Sequence, residues 1–100
     1  MYKKTLMIDL DGVLNNYTKY EENNIPDIKQ GAKEFLEKLS DKYELVLFTT
    51  RKIELAQNWL KKEQLEHYFK EITNIKKPAY IYIDEFSGFT KQEYGIIEEL

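Results

Sequence analysis

Three apolar runs, each followed at once by polar side chains, constrain the fold of this chain more than any other feature. Thr5 to Ile8 runs into Asp9-Leu10-Asp11-Gly12, Tyr43 to Phe48 runs into Thr49-Thr50-Arg51, and Tyr80 to Ile83 runs into Asp84-Glu85. Runs of this length, bounded by turn signals, read as strands. Near-continuous apolar strands suit a parallel sheet covered on both faces. Between them, Ala32, Phe35, Leu36 and Leu39 recur at helical spacing, predicting a helix over about 29–41. Leu55, Ala56, Trp59 and Leu60 predict a second helix, and Leu65, Tyr68 and Phe69 continue its apolar packing. A short strand at 71–73 and a closing helix at 91–100, weakened by Gly95, complete the pattern. Strands alternating with helices imply right-handed crossovers. The expected fold is α/β: a three-layer, Rossmann-like open parallel sheet flanked by helices, in one domain over 1–100.

In such sheets ligands sit beyond the carboxyl ends of the strands. Here those ends carry Asp9 and Asp11, Thr49, and Asp84 with Glu85. In an extended segment, residues i and i+2 point to one side, so Asp9 and Asp11 are expected to converge. Two carboxylates that close repel each other unless a cation or a shared proton intervenes. The pair therefore suggests a metal site, an acid/base pair, or both. Each residue has a plainer explanation as well. Asp11-Gly12 also suits a tight turn, and Thr49 a β-former or helix cap. Trp59 matches a buried stripe, and His67, beside Tyr68 and Phe69, reads as structural or exposed.

One hundred residues without cysteine must fold on one modest core, and 42% hydrophobic residues suffice for that. No apolar run approaches the ~20 residues of a membrane span. Basic Met1-Tyr2-Lys3-Lys4 precedes an apolar run too short for a signal peptide. A soluble, cytoplasmic protein is expected, with no membrane partner. A net charge of -3 argues against non-specific nucleic-acid binding, while Arg51-Lys52 and Lys76-Lys77 leave room for a local basic site.

Asp9-Leu10-Asp11-Gly12-Val13-Leu14 resembles the first motif of the haloacid dehalogenase superfamily, which is dominated by phosphatases. Thr49 resembles its second motif, a lysine before Pro78 its third, and Asp84-Glu85 its fourth. The resemblance implies a magnesium-dependent phosphomonoester hydrolase in which Asp9 is the nucleophile, forming an aspartyl-phosphate, and Asp11 the general acid and base. It implies that Mg2+ is held by the Asp9 carboxylate, the Asp11 backbone carbonyl and Asp84. Thr49 would bind a phosphate oxygen. Lys77, directly before Pro78, is preferred as the charge-neutralising lysine, with Lys76 as the alternative.

Glu85, Arg51, Thr50 and Gly12 stand as further residues near metal or substrate. Glu85 replaces the second Asp common in the fourth motif and is expected either to reach the metal through water or to orient Asp84 or Lys77. Arg51 is expected either to grip a substrate anion or to lie at the surface paired with Glu54. No cap domain is expected, only a flap at about 13–24 in which Tyr17 and Tyr20 are placed to meet substrate or to cover the hairpin. The resemblance leaves the substrate open among a phosphorylated sugar, a nucleotide and a larger phosphorylated ligand. Two alternatives stay open: a non-catalytic module keeping the magnesium and phosphate pocket, and a phosphotransferase. The sequence specifies no oligomeric state.

Overall fold

The structure, a computed structural model, describes residues 3–84. Strand β1 (Lys4–Asp9) is followed by helix α1 (Ala32–Lys42), strand β2 (Tyr43–Phe48), helix α2 (Ile53–Lys62), a 3-10 turn (Glu66–Tyr68), and strands β3 (Phe69–Thr73) and β4 (Ile81–Ile83). The four strands form a parallel sheet in the order β3-β2-β1-β4. Over the described residues the chain is thus a small α/β domain with an open four-stranded parallel sheet and two helices. The helix expected at 91–100 lies outside the described residues, as does Glu85.

The order of the strands places the helices. From β1 to β2 to β3 the chain advances in one direction, and two right-handed crossovers of that kind put α1 and α2 on one face. Leu6 and Ile8 of β1 and Leu45 and Leu47 of β2 turn to that face and join the main core. They meet Ala32, Phe35, Leu36 and Leu39 of α1 and Ala56, Trp59 and Leu60 of α2. Each fully buried Leu or Phe stabilises this layer by ~1.5–3 kcal/mol. Met7 and Val46 alternate to the opposite face and are buried there too, which accounts for the unbroken apolar character of both strands.

Helix α1 starts at Ala32, three residues later than its apolar period predicts. Gly31 sits at φ 89, a left-handed conformation glycine adopts without penalty. Lys29 is held before it, its N–H donating to the Leu14 carbonyl at 2.8 Å and its Nζ to the Gly12 carbonyl at 2.8 Å. The expected flap at 13–24 also begins later. Val13, Leu14 and Asn15 are buried, and Asn15 bridges to Ile28 in antiparallel fashion. Residues 16–24 alone form the exposed excursion. Among the described residues no helix is long and apolar enough to cross a membrane.

Candidate functional site

The carboxyl ends of the strands are level with one another. Asp9 pairs with Phe48, Phe48 with Thr73, and Ile8 with Ile83. Asp84 follows β4 directly, one residue beyond its last pair with β1. The chain leaves β1 toward β2 on one side, while β4 lies on the other, so this edge is the switch point where parallel sheets bind ligands. A cavity of about 520 Å³ opens there. Asp9, Asp11, Thr49, Thr50 and Lys76 line it, with Leu10 between the two aspartates. Tyr17, Tyr20 and Phe48 supply aromatic walls.

Asp9 and Asp11 do meet at one cavity, though by a different route from the one expected. The strand ends at Asp9, the chain bends at Leu10, and residues 11–14 turn, with Gly12 at φ 85 and the Leu14 N–H on the Leu10 carbonyl at 3.0 Å. Alternation along an extended strand therefore does not set the direction of Asp11. Its carboxylate is fixed by two side chains instead. Asn15 Nδ2 donates to Asp11 Oδ1 at 3.0 Å, while the Asn15 side-chain oxygen accepts the Gly12 N–H at 3.1 Å.

Arg51 is the second. Its Nε donates to Asp11 Oδ2 at 3.0 Å and Oδ1 at 3.2 Å, and its Nη2 to Oδ1 at 3.2 Å. Its Nη1 donates to the carbonyls of Glu21 at 2.6 Å and Glu22 at 3.2 Å. The guanidinium also lies 5.0 Å from the centroid of the Tyr20 ring. At 1% exposure, Arg51 is neither a surface residue paired with Glu54 nor a free grip for a substrate anion. Its bidentate partner is the protein's own Asp11, and its remaining nitrogen holds the excursion at 16–24.

Thr49 is buried beside this cluster. Its Oγ1 accepts the Arg51 N–H at 3.0 Å, and the residue lines the cavity. Asn74, one residue past β3, donates to the carbonyls of Thr49 at 2.6 Å and Arg51 at 2.8 Å, and so fixes the loop that carries both. The two lysines separate. Lys76 lines the cavity, with its Nζ 5.4 Å from the centroid of the Phe48 ring. The Lys77 Nζ is paired with Glu71, and its carbonyl accepts the Tyr82 hydroxyl. The geometric preference thus passes from Lys77 to Lys76. Asn15, Asn74 and the bridging role of Arg51 were not legible in the motif pattern.

The sequence model of the family described as "ADDB, N-terminal" matches residues 8–100. The chain belongs to the ADDB N-terminal family. No curated protein matches the sequence. A solved structure described as that of a conserved protein from Bacteroides thetaiotaomicron is similar in fold, with a TM-score of 0.74 and 24% identity over 98% of this chain and 88% of that one.

Membership of the ADDB N-terminal family overturns the resemblance to the haloacid dehalogenase superfamily. The physical reason lies in what short motifs report. Carboxylates and a threonine at the ends of parallel strands mark a polar carboxyl edge, which many unrelated α/β proteins share, whereas the family match spans nearly the whole chain.

Among the described residues no three His, Cys, Asp or Glu side chains gather as a metal site. That donor set does not fit a closed cage of the zinc type. Magnesium is usually bound through one or two carboxylates, with waters and a substrate phosphate supplying the rest. Asp9 closes β1, and Asp84 directly follows β4.

Proposed function

We propose that the chain hydrolyses phosphate monoesters at this cavity, with Asp9 as nucleophile. The observation that carries the reading is the convergence of Asp9, Asp11, Thr49 and Lys76 on one cavity at the switch point of the sheet. A carboxylate and a phosphate dianion repel each other, so phosphoryl transfer asks mainly for positioning and charge neutralisation. Lys76 brings the positive charge, and the Thr49 hydroxyl offers a hydrogen bond to a phosphate oxygen. In the first step an Asp9 oxygen bonds to phosphorus, the bond to the leaving oxygen breaks, and Asp11 gives that oxygen its proton. In the second, water attacks phosphorus, Asp11 takes its proton, and inorganic phosphate leaves with Asp9 restored. Asp9 and Asp84 would hold Mg2+, which when bound would neutralise phosphoryl charge.

One observation favours a second reading, a module that binds phosphate ligands without turnover. The Asp11 carboxylate, needed for proton transfer, is held on both oxygens by Arg51 and on one also by Asn15. Hydrolysis of a generic aryl phosphate with and without magnesium separates the two. Turnover that needs magnesium, disappears in Asp9→Asn and requires much more magnesium in Asp84→Ala is the expected result. Metal-dependent phosphate binding without turnover would establish the second reading.

A further inference from the structure

Tyr20 is an unusual residue for a chain this small: a large aromatic side chain, 53% exposed, yet fixed from behind. The Arg51 guanidinium covers one side of its ring at 5.0 Å, and the same guanidinium holds the next two residues through the carbonyls of Glu21 and Glu22. A buried cation bonded to Asp11 thus sets the position of the ring. Its open side contributes to the cavity wall with Tyr17, and Phe48 adds a third ring. The volume of about 520 Å³ falls in the range of sites that enclose a whole small-molecule ligand, well beyond what a phosphate group fills.

An exposed aromatic ring held rigidly at a cavity is a stacking platform. Planar rings stack on such faces with little loss of freedom, because the receptor side is already ordered. The polar groups of the cavity, Asp9, Thr49 and Lys76, suit the phosphate, and the tyrosines suit what the phosphate is attached to.

We infer that the ligand is a small phosphomonoester whose alcohol carries a planar ring, and that the ring stacks on Tyr20. Nucleoside and aryl monophosphates share this chemistry. The inference rests on the phosphate-site reading above and deepens it. Arg51 acts here as a positioning residue, tying the ring platform to Asp11.

The test compares adenosine monophosphate, phenyl phosphate and ribose phosphate, the last having the ester without the aromatic ring. Each is measured by kcat/KM and by dissociation constant, for the wild type, Tyr20→Ala and Tyr20→Phe. The expected result is a preference of about tenfold or more for a ring-bearing ester, lost in Tyr20→Ala and kept in Tyr20→Phe, as base–aromatic stacking gives elsewhere. Preference for adenosine monophosphate alone assigns the ligand to nucleosides, and for phenyl phosphate alone to aryl esters. Equal values for all three compounds, or a preference that survives Tyr20→Ala, overturns the inference. If nothing is hydrolysed, the hydrolase reading fails separately, and the dissociation constants decide the stacking by the same criteria.

Discussion

On one side of the cavity Asn15, Thr49 and Arg51 are buried and joined to Asp11 and Asn74 by a continuous set of hydrogen bonds. On the other side Lys76 lines the cavity from an exposed position, and Lys77 next to it is exposed and paired with Glu71. The two groups of residues are held under opposite constraints. A buried polar group must be paired, because desolvation without a partner is costly, so each residue of the first side depends on the others. A solvated charge is stable wherever it points. Substitutions on the first side are therefore expected to alter stability and chemistry together, and substitution of Lys76 chemistry alone.

Arg51→Ala is the harshest way to break that contrast. It strips Asp11 of its charge partner and the 16–24 excursion of its anchor, and breaking a buried pair in this way costs about 3–5 kcal/mol. Against the roughly 5–15 kcal/mol that holds a small domain together, the loss is severe. Urea unfolding measures it. Arg51→Lys is expected to recover only part, since one ammonium cannot serve the Asp11 carboxylate and two carbonyls in fixed directions. A loss in Arg51→Ala no larger than the ~1 kcal/mol of an exposed pair would show that the two sides are not built differently.

Asn15→Ala tests the same side more gently. It removes one partner from the Asp11 carboxylate and one from the Gly12 N–H, leaving Arg51 in place. The expected cost is about 1–3 kcal/mol, the penalty for an unsatisfied polar group. Because Arg51 and Asn15 share Asp11, their effects should not add in the double variant, and a cycle of unfolding measurements reads the coupling directly. Strict additivity would mean that the two hold Asp11 independently.

The contrast also explains which parts were legible in the sequence. The expected bounds of β2 match the observed Tyr43–Phe48, and the buried stripe of α1 was expected residue by residue, because alternation and helical period are local properties. Asp9, Asp11 and Thr49 could be placed at one edge because strand ends in a parallel sheet lie together. The partner of Arg51 could not be read in this way, since Asp11 is 40 residues away and the pair forms only when the turn at 10–14 and the loop at 49–51 are both in place. The late start of α1 depended on a left-handed Gly31 and on Lys29 reaching Gly12, contacts that no apolar period encodes. Between Lys76 and Lys77 the sequence offered only adjacency to Pro78, and adjacency does not say which way a side chain turns.

The two lysines supply the mildest and cleanest test. Lys77 is paired with Glu71 at side-chain exposures of 47% and 37%, and such a pair contributes about 0–1 kcal/mol, so Lys77→Ala should barely change stability. Lys76 is exposed as well, and its removal should be equally mild for the fold. Their effects on ligand should differ. Lys76 lines the cavity, and a hydrogen bond to a charged group contributes roughly 1.5–3 kcal/mol, so Lys76→Ala should weaken phosphate-ester turnover or binding by about tenfold to a hundredfold. Lys77→Ala should leave both within about twofold, the scale of an exposed pair. The reverse ranking would require Lys77 to abandon Glu71 and swing into the cavity when the ligand arrives, and a Glu71→Gln variant, freeing Lys77 in advance, would then bind more tightly than the wild type.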